Sequence, residues 1–227
     1  MDQPVDLNEV KALSAALDAE LRRLPVANTP NKRAVRVRYS RRLKTESAEF
    51  VLGVARELFH THGQRWTAYE LVRAHPAAFA RIGPAELEEL GRGMDSWWSV
   101  DAFARTLAGP AWVHGQVPDE LILQWAGSPD PWWRRAALVS TVAWNVRSQG
   151  GPGDVERTLR VCNALAADHE DMVVKALSWA LRELVVHDPQ AVRSFLEQQR
   201  PVLAGRVIRE VGSKLTTGLK NPRRRNG

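Results

Sequence analysis

Apolar residues recur at spacings of three and four along most of this chain, the period of an amphipathic helix. Residues 7–24 carry the pattern, and so does the stretch from Glu46 to His62, which stops at Gly63, a natural helix end. The segment "WTAYELVRAH" is short, helical and halted before Pro76. "PAELEELGRG" opens on proline and closes on glycine, the polarity of a helix. Further helices are predicted over about 96–108, 118–126, 131–147, 154–167, 170–186, 189–198 and 201–215. The run Gly150 to Asp154 reads as a loop with Asp154 opening the next helix. Only "AVRVRYS" alternates, which predicts a short extended piece, and one such piece makes no sheet. The prediction is an all-α chain with short connections, which either a closed bundle or a stacked helical-repeat array satisfies. Tryptophan-bearing helices recur at Trp97, Trp132 and Trp179, at spacings near those of HEAT repeats. No linker announces a boundary. One domain is expected over residues 1–219, followed by a basic tail over 220–227.

Composition adds a charge pattern to this picture. The 227 residues carry 32 Lys/Arg against 26 Asp/Glu, a net charge of +6. Seven of the bases and no acid lie between Lys32 and Lys44, and eight bases with one acid, Glu210, lie from Arg200 onward. The remainder is acidic, with 17 bases against 25 acids. Two basic segments on an acidic body suit a polyanion, nucleic acid above all. No run is long and apolar enough to span a membrane. The opening MDQPVDLNEV lacks a signal-peptide pattern, and Cys162 is the only cysteine. A cytoplasmic monomer without a disulfide is the expectation.

Candidate chemistry centres on tryptophan. There are nine, against five phenylalanines and two tyrosines. Trp66, Trp112, Trp125 and Trp144 sit in apolar helical contexts and read as packing. Three other stretches differ. In "DSWWSVD", Asp95 or Ser96 serves as N-cap. Trp97 and Asp101 are four apart and share a face, and Trp98, turned about 100° away, is expected to enter the core. In "PDPWWRRAALVS", Asp130 and Pro131 open a helix that presents Arg134 and Arg135, whose planar forks suit phosphate. In "KALSWALREL", Lys175, Trp179 and Arg182 form one stripe. Such a stripe is too charged to bury unpaired and fits a groove for something flat and anionic. No HExxH, CxxC or phosphate-binding loop occurs. His60 and His62, the one close histidine pair, point apart, so neither metal nor cofactor is expected.

These three stretches, in this order, resemble the bacterial DNA alkylation repair enzymes of the AlkD type, over about residues 40–215. The resemblance implies a solenoid of stacked antiparallel helix pairs, HEAT-like, with a concave basic groove. It implies a glycosylase that removes cationic N3- and N7-alkylated purines from duplex DNA without flipping the base into a cavity. Carried over by position, the first active-site tryptophan is Trp97, the catalytic aspartate Asp101 and the second tryptophan Trp179. DNA contacts fall on Arg182 and Arg135, beside the stripe residue Lys175 and the neighbouring Arg134. Where the family usually has an acid after the first tryptophan, this chain has Trp98. The implied partner is double-stranded DNA containing alkylated bases, and the implied place is the cytoplasm, on the nucleoid when bound. Two other readings stand beside this one. One is a non-catalytic relative that binds damaged or branched DNA, since fold does not fix function. The other is a protein-interaction scaffold.

Overall fold

Short polar side chains set several of the helix starts. In the computed structural model, which describes residues 5–221, Asp6 accepts from the Asn8 N–H at 2.8 Å and opens α1 (Leu7–Arg22). Asn28 likewise caps α2 (Thr29–Arg42), and Ser47 caps α3 (Ala48–His60). Helices α4 (Arg65–Ala74), α5 (Pro76–Phe79) and α6 (Pro84–Gly91) follow. These six belong to the first of two compact units, Met1–Arg92. Its core gathers Leu17, Val51, Val54, Leu58, Leu71 and Val72 where α1 and α4 pack on α3.

The second unit, Gly93–Gly227, begins with α7 (Trp97–Phe103), which runs through a π-helical turn (Ala104–Ala108) into α8 (Gly109–Val113). Then come α9 (Asp119–Ala126), α10 (Pro131–Ser140), α11 (Val142–Asn145), α12 (Val155–Ala164), α13 (Asp171–Leu184), α14 (Pro189–Gln199) and α15 (Gly205–Thr217). Helix α10 is central: it packs against α7, α9 and α13, and α13 in turn packs against α15. In the interior, Val100, Leu107, Ile122, Leu138, Leu177 and Leu181 are essentially without exposure. Cys162 lies in it, where burial pushes the thiol up and keeps it un-ionised.

The fold is all-α and HEAT-like in kind, with no strand among the described residues. No helix among them is long and apolar enough to cross a membrane. Three local expectations are corrected. The "AVRVRYS" stretch is helical within α2. Its alternation is short, arginine is a good helix former, and the Asn28 cap with Pro30 in the first turn starts a helix upstream. Packing on α1 and α4 then buries Val35. The segment 131–147 is two helices, because the Ser140 and Thr141 hydroxyls turn back to the Ala136 and Leu138 carbonyls at 2.8 and 2.7 Å. Trp98 does not enter the core; it is 53 % exposed. The buried stripe of this helix is Val100, Phe103, Ala104 and Leu107. At 100° per residue its centre lies about 170° from Trp98, so the indole points away from the interior.

Of the tryptophans expected to pack, Trp112 and Trp125 are buried. Trp66 and Trp144 are half-buried, each beneath a guanidinium, Arg33 at 5.2 Å and Arg157 at 5.0 Å. In the expected tail over 220–227, residues 222–227 lie outside the described residues. Lys220 reaches back to Glu210 at 3.5 Å.

Candidate active site

Three helices of the second unit supply the site. Ser96 occupies the N-cap position of α7, and the Ser99 hydroxyl accepts from the N–H groups of Ser96 and Asp95 at 3.2 and 3.3 Å. Asp95 accepts instead from the Ser96 hydroxyl at 3.1 Å. One turn inward, Asp101 leaves α7 towards α10. There Arg135 grips it with both arms of the guanidinium: Nε donates to Oδ1 and Nη2 to Oδ2, each at 3.0 Å. The third donor group, Nη1, goes to the Met172 carbonyl at 2.6 Å. Arg135 therefore ties α7 to the start of α13 and is only 5 % exposed.

This placement revises the expectation for Arg135. A guanidinium buried and bonded to Asp101 and Met172 is not presented to a phosphate; it fixes the carboxylate. Burial pushes the Asp101 carboxyl above the usual aspartate range, and the positive charges of Arg135 and Arg105 oppose that rise. Because both of its oxygens accept N–H donors, Asp101 sits here as a carboxylate. Each oxygen retains a further lone pair, and 17 % of the side chain remains exposed.

Two indoles stand beside Asp101 on α7. Trp97 is 56 % exposed and Trp98 53 %. Helical geometry places Trp97 about 40° to one side of Asp101 and Trp98 about 60° to the other. On α13, the Trp179 indole N–H donates to Glu183 Oε1 at 2.9 Å, which fixes the ring. Lys175 pairs with Asp171 at 2.6 Å, one turn towards the start of α13. Arg182 is half-buried; its Nε donates to the Ser178 hydroxyl at 3.3 Å. That hydroxyl donates in turn to the buried Glu210 at 2.7 Å. Arg134 is held by Asp168 at 2.7 Å and by the Ser128 and Pro129 carbonyls.

Arg105 was not singled out by sequence reasoning. It lies four residues after Asp101, the one signal that could have marked it, and its guanidinium rests 5.5 Å from the centroid of the Trp179 ring. The Ser178–Glu210 support beneath Arg182 was likewise invisible, because its members are 32 residues apart. Among the described residues no three His, Cys, Asp or Glu side chains gather to hold a metal ion.

An all-helical protein with a guanidinium-clamped carboxylate, exposed indoles beside it and a further indole on a neighbouring helix belongs to a recognisable class. Residues 19–215 match the model of the DNA alkylation repair enzyme family. The match spans most of the chain, and the protein belongs to that family, with a role in DNA repair. No curated protein and no solved structure matches it.

Proposed function

We propose that the protein is a DNA glycosylase that excises cationic N3- and N7-alkylated purines from duplex DNA. The observation that carries this reading is the Asp101 carboxylate, held in place by Arg135 on a helix whose Trp97 and Trp98 are exposed. An alkylated purine of this kind is already a cation and leaves without a general acid. As its glycosidic bond breaks, the bonding pair leaves with the purine as a neutral base and positive charge develops on the deoxyribose. A fixed carboxylate stabilises that charge until water adds at the anomeric carbon and loses a proton. At 4 Å and an effective dielectric near 20 that attraction is about 4 kcal/mol; expressed in the transition state it supplies on the order of 10³ in rate. Each indole face adds about 0.5–2 kcal/mol of cation–π attraction. In this reading Trp97 and Trp179 are the indoles and Asp101 the catalytic carboxylate. Lys175, Arg182 and Arg134 lie along the DNA backbone, and Arg135 acts as a positioning residue.

The basic segment supports a polyanion partner. In α2, Arg33 and Arg36 pair with Glu70 and Arg38 with Glu20. Lys32, Arg41, Arg42 and Lys44 stand outside the ion pairs among the described residues. Affinity for duplex DNA is expected to fall steeply with salt, in proportion to the phosphates neutralised. A salt-independent affinity would point to the scaffold reading.

The deciding experiment incubates methylated duplex DNA with excess protein and measures free 7-methylguanine and 3-methyladenine. Release above the spontaneous rate is expected. Salt-dependent binding without release leaves the non-catalytic reading in its place. The pH profile adds a second check. Only the ionised carboxylate stabilises a cation, so excision is expected to fall as pH drops through the Asp101 pKa. Since burial holds that pKa above the usual aspartate range, the loss begins at a higher pH than an ordinary aspartate gives. An excision rate that stays flat through the usual aspartate range refutes the role given to Asp101.

A further inference from the structure

Arg105 is a cation with an unusual partner. It follows α7 in the π-helical turn and is exposed, and its guanidinium lies against the Trp179 ring. Among the described residues no carboxylate comes within ion-pair distance of it, although its charge reaches Asp101. The Trp179 indole thus already holds a positive charge on its face, with its N–H turned to Glu183. An exposed guanidinium held by one indole is held weakly, so a competing cation can displace it.

We propose that Arg105 is a specificity-determining residue that occupies, in the free protein, the cation position between Asp101 and Trp179 that the positive charge of the substrate takes. It acts as an internal competitor. A ligand cation must displace Arg105 from the indole and then act on a carboxylate whose field Arg105 has weakened. A neutral ligand feels only the first of these. Arg105 therefore restrains the site's preference for cations, and removing it sharpens that preference. This rests on the reading that Asp101 and Trp179 receive a cationic substrate, but its test requires no bond cleavage.

The test uses two duplexes identical except at one abasic position. One carries a pyrrolidine analogue, cationic at neutral pH, and the other carries neutral tetrahydrofuran. The ratio of the two dissociation constants cancels any phosphate contact of Arg105, because both duplexes have the same backbone. Replacing the exposed Arg105 by glutamine removes its charge from the field of Asp101 and is expected to raise the preference for the cationic duplex by roughly 2- to 5-fold. Arg105→Lys, which keeps the charge, is expected to stay near the wild-type ratio. An unchanged or lower cation preference in Arg105→Gln overturns the proposal, as does a ratio of one in every protein. Failure of base release by the wild-type protein, with the Arg105→Gln shift present, would sink the glycosylase reading and leave the cation position standing.

Discussion

Asp101→Asn is expected to lower single-turnover excision of 7-methylguanine by on the order of 10³, the rate equivalent of the roughly 4 kcal/mol that a fixed carboxylate supplies to a cation about 4 Å away. Asparagine keeps the shape and one oxygen for the Arg135 N–H donors, so the exchange removes charge with little change in volume. Affinity for undamaged duplex is expected to stay within a few-fold of wild type, because the proposed backbone contacts lie on other residues. The buried Arg135 loses its counter-charge in this variant, so the comparison belongs at a temperature where circular dichroism shows both proteins folded. Excision by Asp101→Asn at the wild-type rate would remove Asp101 from the mechanism.

The second large effect concerns Arg135. Its bonds to Asp101 and Met172 join three helices, and its burial leaves water no substitute role. Arg135→Leu strands a largely buried carboxylate and leaves the Met172 carbonyl without this donor. Breaking a buried pair from one side costs about 3–5 kcal/mol, which a lower urea midpoint reads. Excision is expected to be lost as well, because the carboxylate is no longer held and its burial favours the neutral acid. The double variant Asp101→Leu/Arg135→Leu separates the two losses. Apolar replacement of both partners of a buried pair is often neutral or stabilising, so this variant is expected to recover much of the stability and none of the excision. A double variant no more stable than Arg135→Leu alone would show that the cost lies elsewhere in the packing.

The same helix shows how local and distant information divide. The buried stripe of Val100, Phe103, Ala104 and Leu107 is a spacing of three and four, readable without any partner. That stripe places the Trp98 indole outside, whereas the 100° between Trp98 and Trp97 does not by itself fix a face. The caps at Asp130 and Asp154 are equally local, since each side chain bonds an N–H two or three residues on. In α2 the alternation of valine and arginine competed with an upstream cap. The helix prevailed because α1 and α4 bury Val35, and those partners lie outside the seven-residue stretch.

The site divides in the same way. That Asp101 follows Trp97 by one turn, and that Trp179 shares a stripe with Lys175 and Arg182, are consequences of helical period, and the sequence by itself determined them. It also determined the all-α class and the two basic segments. Only the tertiary structure decided that Arg135 turns inward to hold Asp101, 34 residues earlier, and that Arg105 lies on Trp179, 74 residues later. The physical reason is that an arginine has the same helical propensity whether it meets a phosphate, a carboxylate or an indole. Its partner is set by which helix stands beside it, and that depends on how α10 packs against α7 and α13.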